Sequence, residues 1–266
     1  MAPLPRIKIG MPTKARLKGA FDPNSIRIVP LHAPAMLAEA AAPTAQLTYR
    51  QGPLIPNVEV FTIFWGDLWK KAPQASMIGK VNSFFDFVLT SALIDQLGEY
   101  SVATYPIAHG RRTGSATITT ASPRKSVTDA AIQTFLRQQI KNGALPKTTA
   151  NTVYFLYVPP GVRVVMGGSA SCQAFCGYHS SIGTRTFYAV MPYASCAGCT
   201  AGLQPFDAVT SISSHELCEA ITDPIPGQGW YDDTNGEIGD ICAWQTKKIG
   251  PYTVQLEWSN KANRRV

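Results

Sequence analysis

His215, Glu216 and Glu219 stand in the stretch SSHELCEAITDP, at a spacing that suits hydrolytic metal chemistry. Residues four apart on a helix share a face, so His215 and Glu219 can point at one divalent ion with Glu216 beside it. A hydrolytic zinc site needs three protein ligands, an open position for water, and a carboxylate to take that water's proton. His215 and Glu219 read as two ligands and Glu216 as the general base. Glu237, in GEIGD, is the natural third ligand, because the chain leaves the helix at Thr222-Asp223-Pro224 and returns after a turn. Asp240 is placed to accept the free ring N–H of His215, the usual partner of a metal-bound imidazole. The pattern is HExxE rather than HExxH. Two carboxylates neutralise a dication more fully than two imidazoles, so zinc leads and calcium or manganese is the alternative.

Each of these residues has a plainer reading. Ser213-Ser214-His215-Glu216 is also a capping box, with Ser213 as N-cap and Glu216 reaching back. The loop from Asp232 to Asp240 places oxygen side chains at alternating positions and could cradle calcium, although it lacks EF-hand spacing; otherwise it is a solvated acidic turn. Tyr231, beside that loop, can donate to an oxyanion or simply pack against Trp230. His179 is an alternative ligand or transition-state donor, or a structural loop histidine. There is no GxSxG elbow, phosphate loop or dinucleotide fingerprint.

Six cysteines, at 172, 176, 196, 199, 218 and 242, form an even set. Three disulfides among Cys172, Cys176, Cys196, Cys199, Cys218 and Cys242 and an oxidising compartment are the first reading. A four-thiolate zinc ribbon from the first four is the rival.

The helix is similar to that of the gluzincin peptidases, HELxHAxTD, matching at His215, Glu216, Leu217, Ala220, Thr222 and Asp223 and departing at Glu219. More broadly, QGPLIPNVEVFTIFWG, CQAFCGYHS, SCAGC, SSHELCEAITDP, GWYDDTNGEIGDIC and VQLEWSN resemble the exordium-like (phosphate-induced protein 1) family over roughly residues 48–260. The chain departs from that family at Cys218, where a small apolar residue is usual. The resemblance implies a zincin-like α/β core, a twisted mixed sheet backed by helices, and a secreted or cell-wall setting. Asp223 and Asp240 are then expected around the ligands.

Hydrophobic residues make up 45% of the 266 and charged residues 15%, a globular profile with material for one sizeable core. The net charge of +7 is spread out, without an aromatic-interleaved basic stripe, so no nucleic-acid partner is expected. No apolar run reaches transmembrane length. Residues 1–47 are Pro/Ala-rich and basic and read as an arm or pro-segment lacking a clear signal peptide; 48–266 read as the metallopeptidase domain.

Elements must then position the site. Strands are predicted at Val58–Trp65, Ser115–Thr120, Thr152–Val158, Arg185–Pro192 and Thr253–Trp258. Helices are predicted at Ser76–Gln96 and Val127–Asn142. Phe187–Met191 is the expected edge strand, able to hold extended peptide by strand addition. These readings converge on a secreted, monomeric, zinc-dependent metallopeptidase acting on peptide or protein substrates. The alternative is a non-catalytic extracellular binding or signalling protein with a structural metal.

Overall fold

The structure is a computed structural model and describes residues 28–32 and 45–266. What the arm does at 1–27 and 33–44 lies outside the described residues. The elements used below are β1 (Ile28–Pro30), β2 (Asn57–Trp65), α1 (Gln74–Val88), α2 (Ala92–Leu97), β3 (Ala108–Ile118), α3 (Asp129–Lys141), β4 (Thr152–Tyr157), β5 (Phe175–Ile182), β6 (Thr186–Met191), α4 (Pro205–Thr222) and β7 (Tyr252–Gln255).

A six-stranded mixed sheet, ordered β1-β5-β6-β4-β2-β3, separates two helical layers. The strands β6, β4, β2 and β3 run parallel, while β5 is antiparallel to β6 and β1 to β5. Side chains alternate along a strand, and β4 shows the consequence. Val153, Phe155 and Tyr157 face one core, shared with Phe84 and Phe85 of α1 and Leu217 of α4. Tyr154 and Leu156 face the other, shared with Ile132, Phe135 and Leu136 of α3. Burial of both faces makes β4 continuously apolar, as parallel strands tend to be. The chain is thus a mixed α/β protein, as its order of elements implies.

Several boundaries move. The helix expected over Ser76–Gln96 is two helices: α1 ends at Val88, and Ser91 caps α2 by accepting from the Leu93 amide at 3.3 Å. Thr128 caps α3, and residues 126–128 before it pair as a strand with Arg163–Met166. Phe187–Met191 is not an edge. It lies in β6, between β5 and β4, so its backbone is already paired on both sides. Among the strands not expected from the sequence is β5, whose FCGYHSSI lacks an apolar alternation. Glycine at 177 lets α4 close on it: a Cβ there would lie 2.7 Å from Ile212 Cγ2 and 3.1 Å from Glu216 Oε1.

The arm is tied to the sheet at β1, and His32 N–H donates to Gly198 O at 2.8 Å. Thr48–Tyr49 pairs with Trp230–Tyr231.

Two disulfides, Cys172–Cys196 and Cys176–Cys199, join β5 and the segment before it to the turn preceding α4. Paired in this way, the four leave no thiolate for a zinc ribbon. The third expected bridge is absent. Cys218 in α4 and Cys242 are buried thiols. Closed loops of about this size are worth roughly 3 kcal/mol each in the chain-entropy model. Reduction is therefore expected to lower the unfolding free energy obtained from urea titration by about that amount per bridge, and an unchanged value would show that these bridges carry no stability.

Candidate metal centre

Helix α4 carries the first site residues, and it begins well before them. Gln204 is its cap, Pro205 sits in its first turn, and Ser213 lies inside it. The capping-box reading therefore fails. The Ser213 hydroxyl instead meets Tyr157 OH at 2.8 Å, and Ser214 Oγ donates to Ser211 O and accepts from Gln255 N–H. From Thr210 to Thr222 every residue of α4 is buried, because β5, β6 and β7 pack around it. His215, Glu216 and Glu219 are fully enclosed.

Three segments converge on this helix. His179 comes from β5, Glu237 and Asp240 from the loop after α4, and Gln255 from β7. Two groups of ligating atoms form, each within 4.8 Å: His215, Glu219 and Asp240, and His179, Glu216 and Glu219. In the first, His215 Nε2 is 3.0 Å from Glu219 Oε1, which also accepts from the Asp240 amide at 3.2 Å. In the second, His179 Nδ1 lies 3.1 Å from Glu216 Oε2 and 3.3 Å from Glu219 Oε2. Tetrahedral ligands held at about 2.1 Å from zinc sit roughly 3.4 Å apart, so both groups have the dimensions of a cation site.

The residues named from the sequence meet here, in a grouping of their own. Asp240, not Glu237, completes the His215 group. Glu237 is fully buried behind His179, with Oε1 3.5 Å from that ring's Nε2. The group on His215 Nδ1 is Gln255, whose amide nitrogen is 2.7 Å away and also 2.9 Å from Gly239 O. A glutamine on a late strand carries no motif, so no sequence signal marked it. Asp223 does stand near the ligands, but its carbonyl is what accepts from His179 Nε2, at 3.1 Å. Its carboxylate is used by the backbone N–H groups of Gly227, Gln228 and Gly229. Asp232 is engaged by backbone amides. Its Oδ1 accepts from the amides of Thr234 and Asn235 and its Oδ2 from that of Gln46. Tyr231 is buried in its short strand, with the Arg50 guanidinium 4.4 Å over its ring.

Charge makes this assembly unusual. Burial favours neutral groups, yet four acidic side chains and two imidazoles meet here. Burial opposes the charged form of His215, but Glu219 with Glu216 and Asp240 outweighs it and pushes the ring up to about 10. His179 is raised well above its usual value: burial works against its charge, and Glu237, Glu216 and Glu219 overcome that. Glu219 is held down at about 2; burial alone would raise it, and His215 and His179 prevail. Burial raises Glu216, and burial reinforced by Glu219 raises Glu237 well above the carboxylate range. Glu216 Oε1 and both Glu237 oxygens have no hydrogen-bond partner, and the His215 Nε2 and Glu219 Oε2 contacts, at 3.0 and 3.3 Å, are ion pairs without hydrogen-bond alignment. Buried polar atoms are normally satisfied, so this set has the chemistry of a cation site.

Gly239 sets the spacing. A Cβ there would fall 2.8 Å from His215 Nδ1 and 2.9 Å from Glu219 Oε1. Gly239→Ala is expected to cost about 1–3 kcal/mol through overpacking and to weaken metal binding about 10–100-fold by displacing the ring's support. Thermal denaturation and chelator competition measure the two effects. Unaltered affinity would place the ion away from His215.

No protein-family model matches the chain, and no curated protein matches it.

Proposed function

We propose that this protein is a metal-dependent hydrolase of peptide bonds, secreted into an oxidising environment, with zinc as the leading ion. The observation that carries the reading is the enclosed set of ligating atoms without hydrogen-bond partners on one helical turn. The likeness of HELCEAITD to a gluzincin helix supports it, and the two disulfides fit an oxidising compartment.

In this reading His215, Glu219 and Asp240 hold the ion. When bound, it would polarise the scissile carbonyl and lower the pKa of a water molecule. Glu216 takes the proton from that water and passes it to the leaving amine. Its burial suits the task, because a raised carboxyl pKa lets one group accept and then return a proton near neutral pH. His179, 3.1 Å from Glu216 Oε2, orients that carboxylate and is itself anchored by Asp223 O.

One observation favours a second reading. Every histidine and glutamate of the site is at most 1% exposed, which suits a structural ion in an extracellular binding protein. Metal analysis joined to a peptide-hydrolysis assay separates the two. At least one equivalent of a transition metal, with hydrolysis lost on chelation and restored on re-addition of a first equivalent, is expected. Bound metal without hydrolysis would favour the structural ion, and no bound metal would end both readings.

A further inference from the structure

The group at His179 is spare in the reading above, where that ring only steadies the base. Its geometry suggests more. His179 Nε2 donates to Asp223 O, which aims Nδ1 at Glu216 Oε2 and Glu219 Oε2. An imidazole fixed through its far nitrogen by a carbonyl is the arrangement of a metal ligand. Glu219 turns one oxygen to each histidine, Oε1 to His215 and Oε2 to His179. All three side chains of this group are at most 1% exposed, and Glu216 Oε1 and Glu219 Oε2 lack hydrogen-bond partners.

We propose that a second divalent cation binds between His179 Nδ1, Glu216 and Glu219, with Glu219 bridging it to the ion at His215. The proposal rests on the hydrolase reading for the first ion. One nitrogen and two carboxylates suit zinc or manganese. Carboxylate-bridged ions lie about 3.5–4 Å apart. Filling this position engages Glu216, so the carboxylate that would accept the proton becomes a ligand. The second ion is therefore inhibitory: hydrolysis rises as the first position fills and falls as the second does.

The test uses the full chain, stripped with chelator and dialysed against increasing zinc. Two bound equivalents are expected, filling in separate steps. Loading with Mn2+ should give an exchange-coupled electron paramagnetic resonance spectrum. His179→Asn should reduce the count to one and abolish the coupling. If that variant does not fold, the wild-type stoichiometry and spectrum decide alone. A single equivalent in the wild type overturns the second ion and leaves the hydrolase reading intact, whereas none overturns both. Two uncoupled ions, or two equivalents retained in a folded His179→Asn, also overturn the bridge.

Discussion

Glu216→Gln is expected to lower peptide hydrolysis about 10²–10⁴-fold, the usual contribution of a positioned general base, while the ion at His215 stays bound. The substitution is nearly isosteric, which matters because Glu216 is fully enclosed and a shorter residue would leave a cavity. Glutamine cannot take up a proton at neutral pH. It can still present an oxygen to His179, so the fold around α4 and β5 should survive. The rate and the metal content must be measured on the same preparation. A normal rate with full metal would remove Glu216 from the mechanism. A lost rate with lost metal would recast it as a ligand needed for the first ion. The same variant should weaken the second ion, because one charged ligand of the His179 group becomes neutral.

Much of this site was legible because its chemistry is concentrated in a short stretch. The spacing puts Glu219 on one face with His215 four residues back and with Glu216 three back on any α-helix, and α4 obeys it. The return of Glu237 and Asp240 was legible from the helix stop at Thr222-Asp223-Pro224. Their division of labour was not. It depends on the turn at Gly239, where the Asp240 amide reaches Glu219 Oε1. The capping-box alternative fails because capping residues are also good interior residues when a sheet surrounds the helix. Ser213 and Ser214 satisfy their hydroxyls on Tyr157 and on backbone groups, contacts that no local pattern shows. The strand β5 was missed since Cys, Gly, Ser and His give no period-2 alternation. Without it β6 looks like an edge, for β5 is the neighbour that covers β6. The sheet core was easier: Val58–Trp65 and Thr152–Val158 are β-branched and aromatic runs, and both strands are there within a residue.

Metal removal is expected to produce the other large effect, a loss of stability that grows as pH rises. Without cations, protons are what neutralise the cluster. His215, raised to about 10, contributes fully below its unfolded value near 6.5 and loses that contribution as pH climbs to about 10. His179 is raised as well and acts in the same direction. Glu216 and Glu237, raised mainly by burial, hold protons in the fold where the unfolded chain releases them, and so also favour lower pH. Glu219, held near 2, opposes them only in acid: its contribution is present above about 4.5 and lost as pH falls toward 2. The stripped protein should therefore be most stable near pH 5 and weaken from there to about 10, first through the carboxyls and above about 6.5 through the imidazoles as well, by an amount on the order of several kcal/mol. Divalent ions replace those protons, so their affinity increases with pH and the loaded protein should resist the decline. Melting temperatures with and without chelator at pH 5, 7 and 9 should diverge upward. A gap that stays constant or narrows would mean that the imidazoles and carboxylates around α4 do not share their protons with a metal ion.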